Sequence, residues 1–252
     1  MIEEPFADRD SLVARIDPRV RVVLATAYSF LMAVSMRFTT LYTALVLSLI
    51  LIFLAELEPR KVAARVAPVN TLLVFLWAVL PITFEGHGLF QLGPFDVSRE
   101  GILLSARITL KSNAILLALI ALVASMPLAT LGHALSQLRV PAKITNLLLM
   151  TYRYIFVIEQ EYQRLWRAAK IRGFRPGTNL HTYRTYAYMV GMLFVRAAAR
   201  AERVYQAMLC RGFDGSFYCL ETFSATRKDW AFAVLLAAAV FLLAALEWTR
   251  IA

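Results

Sequence analysis

Val20–Met36 reads VRVVLATAYSFLMAVSM and Leu41–Leu57 reads LYTALVLSLILIFLAEL, with only Arg37-Phe38-Thr39-Thr40 between them. Each run holds 17 residues, at the short end of what crosses a bilayer as a helix. Four residues of turn leave no room for anything but a tight helical hairpin. Working outward, three more apolar runs follow: Val69–Phe84, which ends near Pro81, then Ile102–Ser125 and Asp229–Leu246. The whole chain is 60% hydrophobic with a mean hydropathy of +0.61, whereas a soluble domain is about 45–50% apolar. The expected fold is therefore all-α: a polytopic membrane protein with about five transmembrane helices.

Charge sets the expected orientation. The chain carries a formal +10, and much of it is local. Arg153 to Arg211 holds eleven Lys/Arg against three Glu. Positive loops mark the cytoplasmic side. With the amino terminus inside, Arg60, Lys61 and Arg65 fall inside and the weakly charged loop Glu85–Glu100 falls outside. The basic segment then falls inside, and a fifth span places the carboxyl terminus outside. Met1–Asp17 has five acidic residues and no apolar core, so the first span is expected to act as its own insertion signal. A basic stretch is also the mark of nucleic-acid binding, but membrane-depth segments flank this one on both sides, and no nucleic-acid partner is expected.

Between the fourth and last spans, residues 127–212 predict three helices. The first is Pro127–Leu138, opened by proline. The second runs from Pro141 to about Ile171 and stops at Gly173, with Pro176 beyond. The third runs from about Thr182 to Cys210 and stops at Gly212. Two helices of about thirty residues reach roughly 45 Å each, long enough to lie along a membrane or project from it. Ile144–Ile158 is apolar enough to be partly embedded. Arg196, Arg200 and Arg203 share one helical face, and the opposite side, with Met192 and Val195, is expected to pack on another helix. Three regions follow: 1–126 as amino-terminal membrane helices, 127–215 as a membrane-proximal helical region, and 216–252 with the last span.

The two long helices end alike. Arg172-Gly173-Phe174 and Arg211-Gly212-Phe213 repeat a tripeptide, and each arginine has an alanine four residues earlier, Ala168 and Ala207. Arginine before a terminating glycine is ordinary helix-ending chemistry. Two copies with matching alanine and phenylalanine point further, to paired contacts on two equivalent partners. A guanidinium at an exposed helix tip can form a bidentate pair with a carboxylate.

Other candidates are weaker. Arg107 and Lys111 stand one turn apart in the fourth span, either as functional intramembrane charges or because the helix begins nearer Asn113 and both snorkel. His87, His133 and His181 lack metal-ligand spacing; His87 with Asp96, both in the outer loop, is the one pair offered as a metal-ion alternative. Cys210 and Cys219 form no CxxC motif. No phosphate-binding loop, nucleophile elbow or HExxH is present. The expectation is no catalytic residue, no metal site and no cofactor, with any ATP chemistry on another chain. Asp17-Pro18 is a good N-cap and first-turn pair for the first helix.

These residues resemble a known family, the transmembrane T component of energy-coupling-factor (ECF) transporters, and most closely its cobalt-type Q subunit, the CbiQ family. The likeness covers nearly the whole chain. It rests on Ile16-Asp17-Pro18-Arg19-Val20, Leu138-Arg139-Val140-Pro141, Thr151-Tyr152-Arg153-Tyr154 and the two arginine motifs. Ala207-Met208-Leu209-Cys210-Arg211-Gly212-Phe213-Asp214-Gly215 is the most specific stretch. The resemblance implies a multi-pass protein of the bacterial inner membrane whose cytoplasmic coupling helices dock on an ABC-type ATPase dimer. It implies Arg172 and Arg211 as contact arginines, with Gly173 and Gly212 ending the helices and Ala168 and Ala207 beside them. It also implies a separate substrate-binding membrane subunit, with cobalt as the transported ion; nickel or a vitamin are the alternatives within the family. Ile171 and Cys210 depart from the family pattern, where alanine is commonest. Outside the family, a membrane anchor with basic lipid-binding helices and an intramembrane enzyme built on His133 or His181 are the rival readings.

Overall fold

The computed structural model describes residues 13–84, 88–92, 95–215 and 227–248. It is helical apart from one short hairpin. Five helices carry the apolar runs: α1 (Pro18–Val34), α2 (Phe38–Leu54), α3 (Pro59–Thr83), α4 (Arg99–Leu122) and α8 (Arg227–Trp248). Three of them, α3, α4 and the Asp229–Trp248 part of α8, are long and apolar enough to cross a membrane; α2 is equally apolar but has 17 residues. Between α4 and α8 lie α5 (Leu128–Gln137), α6 (Ala142–Ile171) and α7 (Leu180–Leu209).

Local chemistry sets the boundaries. Asp17 caps α1 by accepting from the Arg19 amide at 2.9 Å, and Pro18 takes the first turn, where its missing N–H costs nothing. Ser98 caps α4 by accepting from the Gly101 amide at 3.2 Å. α3 begins at Pro59, ten residues before the apolar run that announces it, so Arg60, Lys61 and Arg65 are helical rather than loop. Pro68 and Pro81 both lie inside it. The segment expected as an outer loop contains a β-hairpin, β1 (Gly88–Leu92) and β2 (Phe95–Ser98), paired antiparallel with Leu92 opposite Phe95. The strands fold back on each other in that pairing, which hydropathy alone does not reveal.

The described residues form two compact units. One comprises Glu4–Ala134 with Thr222–Ala252, the other Leu135–Glu221. In the first, α4 is the central helix and packs on α1, α2 and α3, while α8 packs on α1 and α2. Ala114, Ala118 and Ala121 recur at helical spacing along α4 and are fully buried. Small side chains let backbones approach closely, which is how helices associate where lipid offers no hydrophobic drive. Gly101 extends the same device: a Cβ there would sit 2.7 Å from Pro81 Cα. Outward-facing positions are apolar, including Leu72, Phe75, Leu235 and Phe241, each at least 65% exposed. A surface of that kind fits hydrocarbon rather than water.

Candidate functional site

The two arginine motifs end their helices with the same backbone geometry. Gly173 has φ +79° and Gly212 φ +78°, the left-handed conformation that glycine adopts without strain. At the first, the Gly173 amide donates to Lys170 O at 3.0 Å and the Phe174 amide to Ala169 O at 3.1 Å. At the second, Gly212 donates to Leu209 O at 3.0 Å and Phe213 to Met208 O at 3.1 Å. Each six-residue closure satisfies a carbonyl that the helix end would otherwise orphan. Arg172 and Arg211 are exposed, and neither is hydrogen-bonded or ion-paired through its side chain among the described residues. Ala168 and Ala207 are exposed too, one turn back along each helix.

The motifs stand at opposite ends of α7. Arg172 lies in the turn that leads from α6 into α7, and Arg211 follows α7's last turn. α7 has 30 residues, about 45 Å of rise. The first motif is braced by an aromatic cluster. Trp166 stacks on Tyr186 with centroids 6.0 Å apart, and Phe174 meets both edge-on at 5.9 and 5.8 Å. Lys170 lies over Trp166, 5.7 Å from the ring centroid.

α6 and α7 run antiparallel and meet through one ion pair and an apolar cleft. Glu161 of α6 accepts a hydrogen bond from Arg196 of α7 and a second from Arg164 at 3.3 Å. The Arg196 hydrogen bond, reinforced by the charges of Arg196, Arg164 and Arg200, holds the Glu161 carboxyl below its ordinary pKa. The cleft, about 620 Å³, is lined by Leu147, Tyr154 and Ile158 on one side and Leu193, Val204 and Met208 on the other. This corrects the expected packing of α7. Arg196 and Arg200 face α6 across the cleft, whereas Met192 and Val195 are 45% and 60% exposed. Glu161 supplies the reason, because its carboxylate holds the exposed Arg196 on that side through a charge-assisted hydrogen bond. The apolar run Ile144–Ile158 supplies Leu147, Met150, Tyr154 and Ile158 to the α6 wall of this cleft.

Arg107 and Lys111 lie well inside a continuous helix that begins at Arg99, so the later start near Asn113 does not occur. Lys111 Nζ donates to Ala33 O at 3.0 Å, and the Arg107 guanidinium sits 5.1 Å from the Phe38 ring centroid. Among the described residues no three His, Cys, Asp or Glu side chains gather as a metal site. His87 and Cys219 lie outside the described residues. His181 borders Phe174 at 6.3 Å.

Arg21 escaped the sequence reading altogether. It is 1% exposed, and its Nε donates to Leu122 O at 2.9 Å while Nη2 donates to Ser125 Oγ. It thereby caps the end of α4, the point from which the chain continues toward α5 and α6. In sequence it is one more basic residue near a membrane boundary, and nothing local distinguishes it.

The sequence model of the CbiQ family, described as cobalt transport protein, matches residues 9–219. The chain is 28% identical over 151 residues to the cobalt transport protein CbiQ of Rhodobacter capsulatus, covering 58% of this chain and 62% of that one. It is 23% identical over 217 residues to the energy-coupling factor transporter transmembrane protein EcfT of Thermosediminibacter oceani, covering 82% of each. An uncharacterized protein of Methanocaldococcus jannaschii is 26% identical over 218 residues, 82% of this chain and 79% of that one.

Proposed function

Because this chain belongs to the CbiQ family, and so is a membrane component of an ECF-type transporter, we propose that it couples an ABC-type ATPase dimer to a substrate-binding membrane subunit, with cobalt as the transported ion. The observation that carries this reading is the pair of matching helix ends. Two exposed arginines, each held on a glycine-terminated helix tip, stand about one helix length apart. A dimer of like subunits offers two like docking sites, and a scaffold with two like tips meets both. Arg172 and Arg211 supply the contacts, Gly173 and Gly212 end the helices, and Ala168 and Ala207 leave space for close approach.

Coupling needs a rigid element that both partners bias between two arrangements. α6 and α7 fit that role, being long, joined through Glu161–Arg196 and braced at the turn by Trp166, Phe174 and Tyr186. Approach of the ATPase halves on binding ATP draws Arg172 and Arg211 along, so that the long helices tilt or slide as a unit and carry that displacement to the membrane helices. In this scheme residues 127–215 form the coupling region. Residues 1–126 and 216–252 form a multi-pass body in the bacterial inner membrane. The metal is captured by the separate subunit, and ATP hydrolysis belongs to the ATPase chains.

The test is co-purification in detergent with the ATPase pair, comparing wild type with Arg172→Ala/Arg211→Ala and Arg172→Lys/Arg211→Lys. The proposal expects the alanine pair to lose the complex and ATP-driven cobalt uptake, and the lysine pair to be substantially weakened, since lysine lacks the planar fork. Uptake at the wild-type level with both arginines replaced by alanine refutes it. Full function with lysine at both positions would assign the tips to simple charge attraction, as in a lipid-bound anchor.

A further inference from the structure

We propose that the cations gathered at the turn between α1 and α2 bind the phosphate of an anionic phospholipid, at the membrane face where α1 ends and α2 begins. This inference rests on the membrane reading of α1–α4 and is independent of ATPase coupling.

Three cations from separate positions converge there. Lys111 Nζ donates to Ala33 O at 3.0 Å and lies 4.0 Å from Met36 Sδ. Arg107, one turn earlier on α4, lies against the Phe38 ring. Arg37 in the turn itself donates through Nη1 to Leu246 O at 2.9 Å. Among the described residues none of the three has an ion-pair partner. Against these three cations stands one carboxylate at the turn, Glu247, which accepts from the Met36 amide and from Thr40 Oγ1, both at 2.8 Å, and offsets only one of the three charges. Arg107 Nε is buried without a hydrogen-bond partner. The region is therefore short of negative charge, and a partly desolvated arginine in it lacks the acceptor that such a group ordinarily has.

The usual explanation for basic residues at a membrane boundary does not apply. Positive charge concentrates on the cytoplasmic side, and that bias is met at the opposite end of the hairpin by Arg60, Lys61 and Arg65. The Arg37–Arg107–Lys111 group stands at the other face.

Depth and surroundings favour a lipid over a soluble anion. α1 and α2 have 17 residues each, about 25 Å of rise, against a hydrocarbon core of about 30 Å. α3 and α4, with 25 and 24 residues, are longer. A short hairpin beside longer helices draws headgroups inward. At the hairpin, where the bilayer thins, headgroups can reach the turn and, about two to three turns into α4, Arg107 and Lys111. Phe30, Val34 and Tyr42, which flank the turn, are 74%, 64% and 58% exposed, an apolar surface for the acyl chains below the phosphate.

The full chain, purified in detergent, is incubated with an equimolar mixture of phosphatidylglycerol and phosphatidylcholine, and the retained lipid is counted by native mass spectrometry. Wild type should retain phosphatidylglycerol in preference. Arg107→Gln/Lys111→Gln should weaken that preference roughly thirtyfold, two cations each acting at the level of a basic residue near an anionic surface. Arg107→Lys should keep most of it. Should the double variant fail to fold, judged by its thermal midpoint, Arg37→Gln alone must still lower the preference. Equal retention of both lipids by wild type, or unchanged retention in the variants, overturns the proposal. Displacement by millimolar inorganic phosphate would assign the cluster to free anions, and loss of lipid on assembly with partner subunits would assign it to a protein interface; either result also overturns it.

Discussion

Replacing Arg21 with alanine should lower the stability of the membrane body by about 3 kcal/mol, and the components of that figure can be separated. The Arg21 guanidinium reaches Leu122 O at 2.9 Å and Ser125 Oγ. Leu122 is the last residue of α4, so its carbonyl is among those that the helix cannot satisfy itself. Orphaning that acceptor in a buried site costs about 1–3 kcal/mol. Ser125 suffers less, because its hydroxyl still donates to Ala121 O at 2.6 Å. Emptying the space of the side-chain stem adds about 1–2 kcal/mol at the lower end of core truncations. Relief from burying a cation works the other way and offsets part of the sum. Arg21→Lys keeps the charge but cannot hold both acceptors with one fork, and should cost about 1–2 kcal/mol. Arg21→Met keeps the stem but removes the charge and both hydrogen bonds, so its difference from Arg21→Ala isolates the cavity contribution. The assay is unfolding in mixed micelles by denaturing detergent, with the thermal midpoint as a second readout. If Arg21→Ala and Arg21→Met both fall within about 0.5 kcal/mol of wild type, the range of an inconsequential surface change, then Arg21 does not fasten α1 to α4 and the reasoning fails.

Two further outcomes follow from the geometry. Gly101→Ala places a Cβ 2.7 Å from Pro81 Cα and 2.8 Å from Leu80 O, both backbone atoms that cannot swing aside; overpacking of this kind costs about 1–3 kcal/mol. A thermal midpoint equal to wild type would show that α3 and α4 separate freely. The Glu161–Arg196 link should weaken in acid. Its folded-state pKa is depressed, chiefly by the hydrogen bond from Arg196, so its stabilising contribution is present above the ordinary carboxylate pKa and is lost as pH falls through the depressed value. Protection of the α6–α7 backbone against hydrogen exchange, corrected for the intrinsic rate at each pH, should fall over that acidic range in wild type and show no such step in Glu161→Gln. A step of equal size in the variant would assign the pH response to other groups.

Much of the molecule is written locally. The amide capped by Asp17 lies two residues away, and Pro18 needs only its own ring to suit a first turn. The long helices stop at Gly173 and Gly212 because glycine alone adopts the left-handed conformation cheaply, and both stop signals stand in the sequence beside their arginines. Interactions distant in sequence leave no such mark. Glu161 and Arg196 are 35 residues apart, and each in isolation is an ordinary solvated charge. The arginine-bearing side of α7 faces its neighbour, against the hydropathy pattern, because a carboxylate waits there and apolar side chains line the cleft around it. Trp166, Phe174 and Tyr186 come from two helices and the turn between them, and only the folded turn makes them a cluster.

The sequence by itself determined the helical membrane class, the three helices long and apolar enough to span, the two long ones that follow α4, and the repeated arginine tips. Hydropathy, helix-ending glycines and N-cap chemistry act within a few residues, so they are legible in a linear string. The tertiary structure decided which charges serve as fasteners. Arg21 closes the end of α4, Glu247 reaches the turn between α1 and α2, and Arg37, Arg107 and Lys111 share one site. The energy of a charge depends on what surrounds it in space, and that is fixed only when the rotation and depth of each helix against its neighbours are fixed.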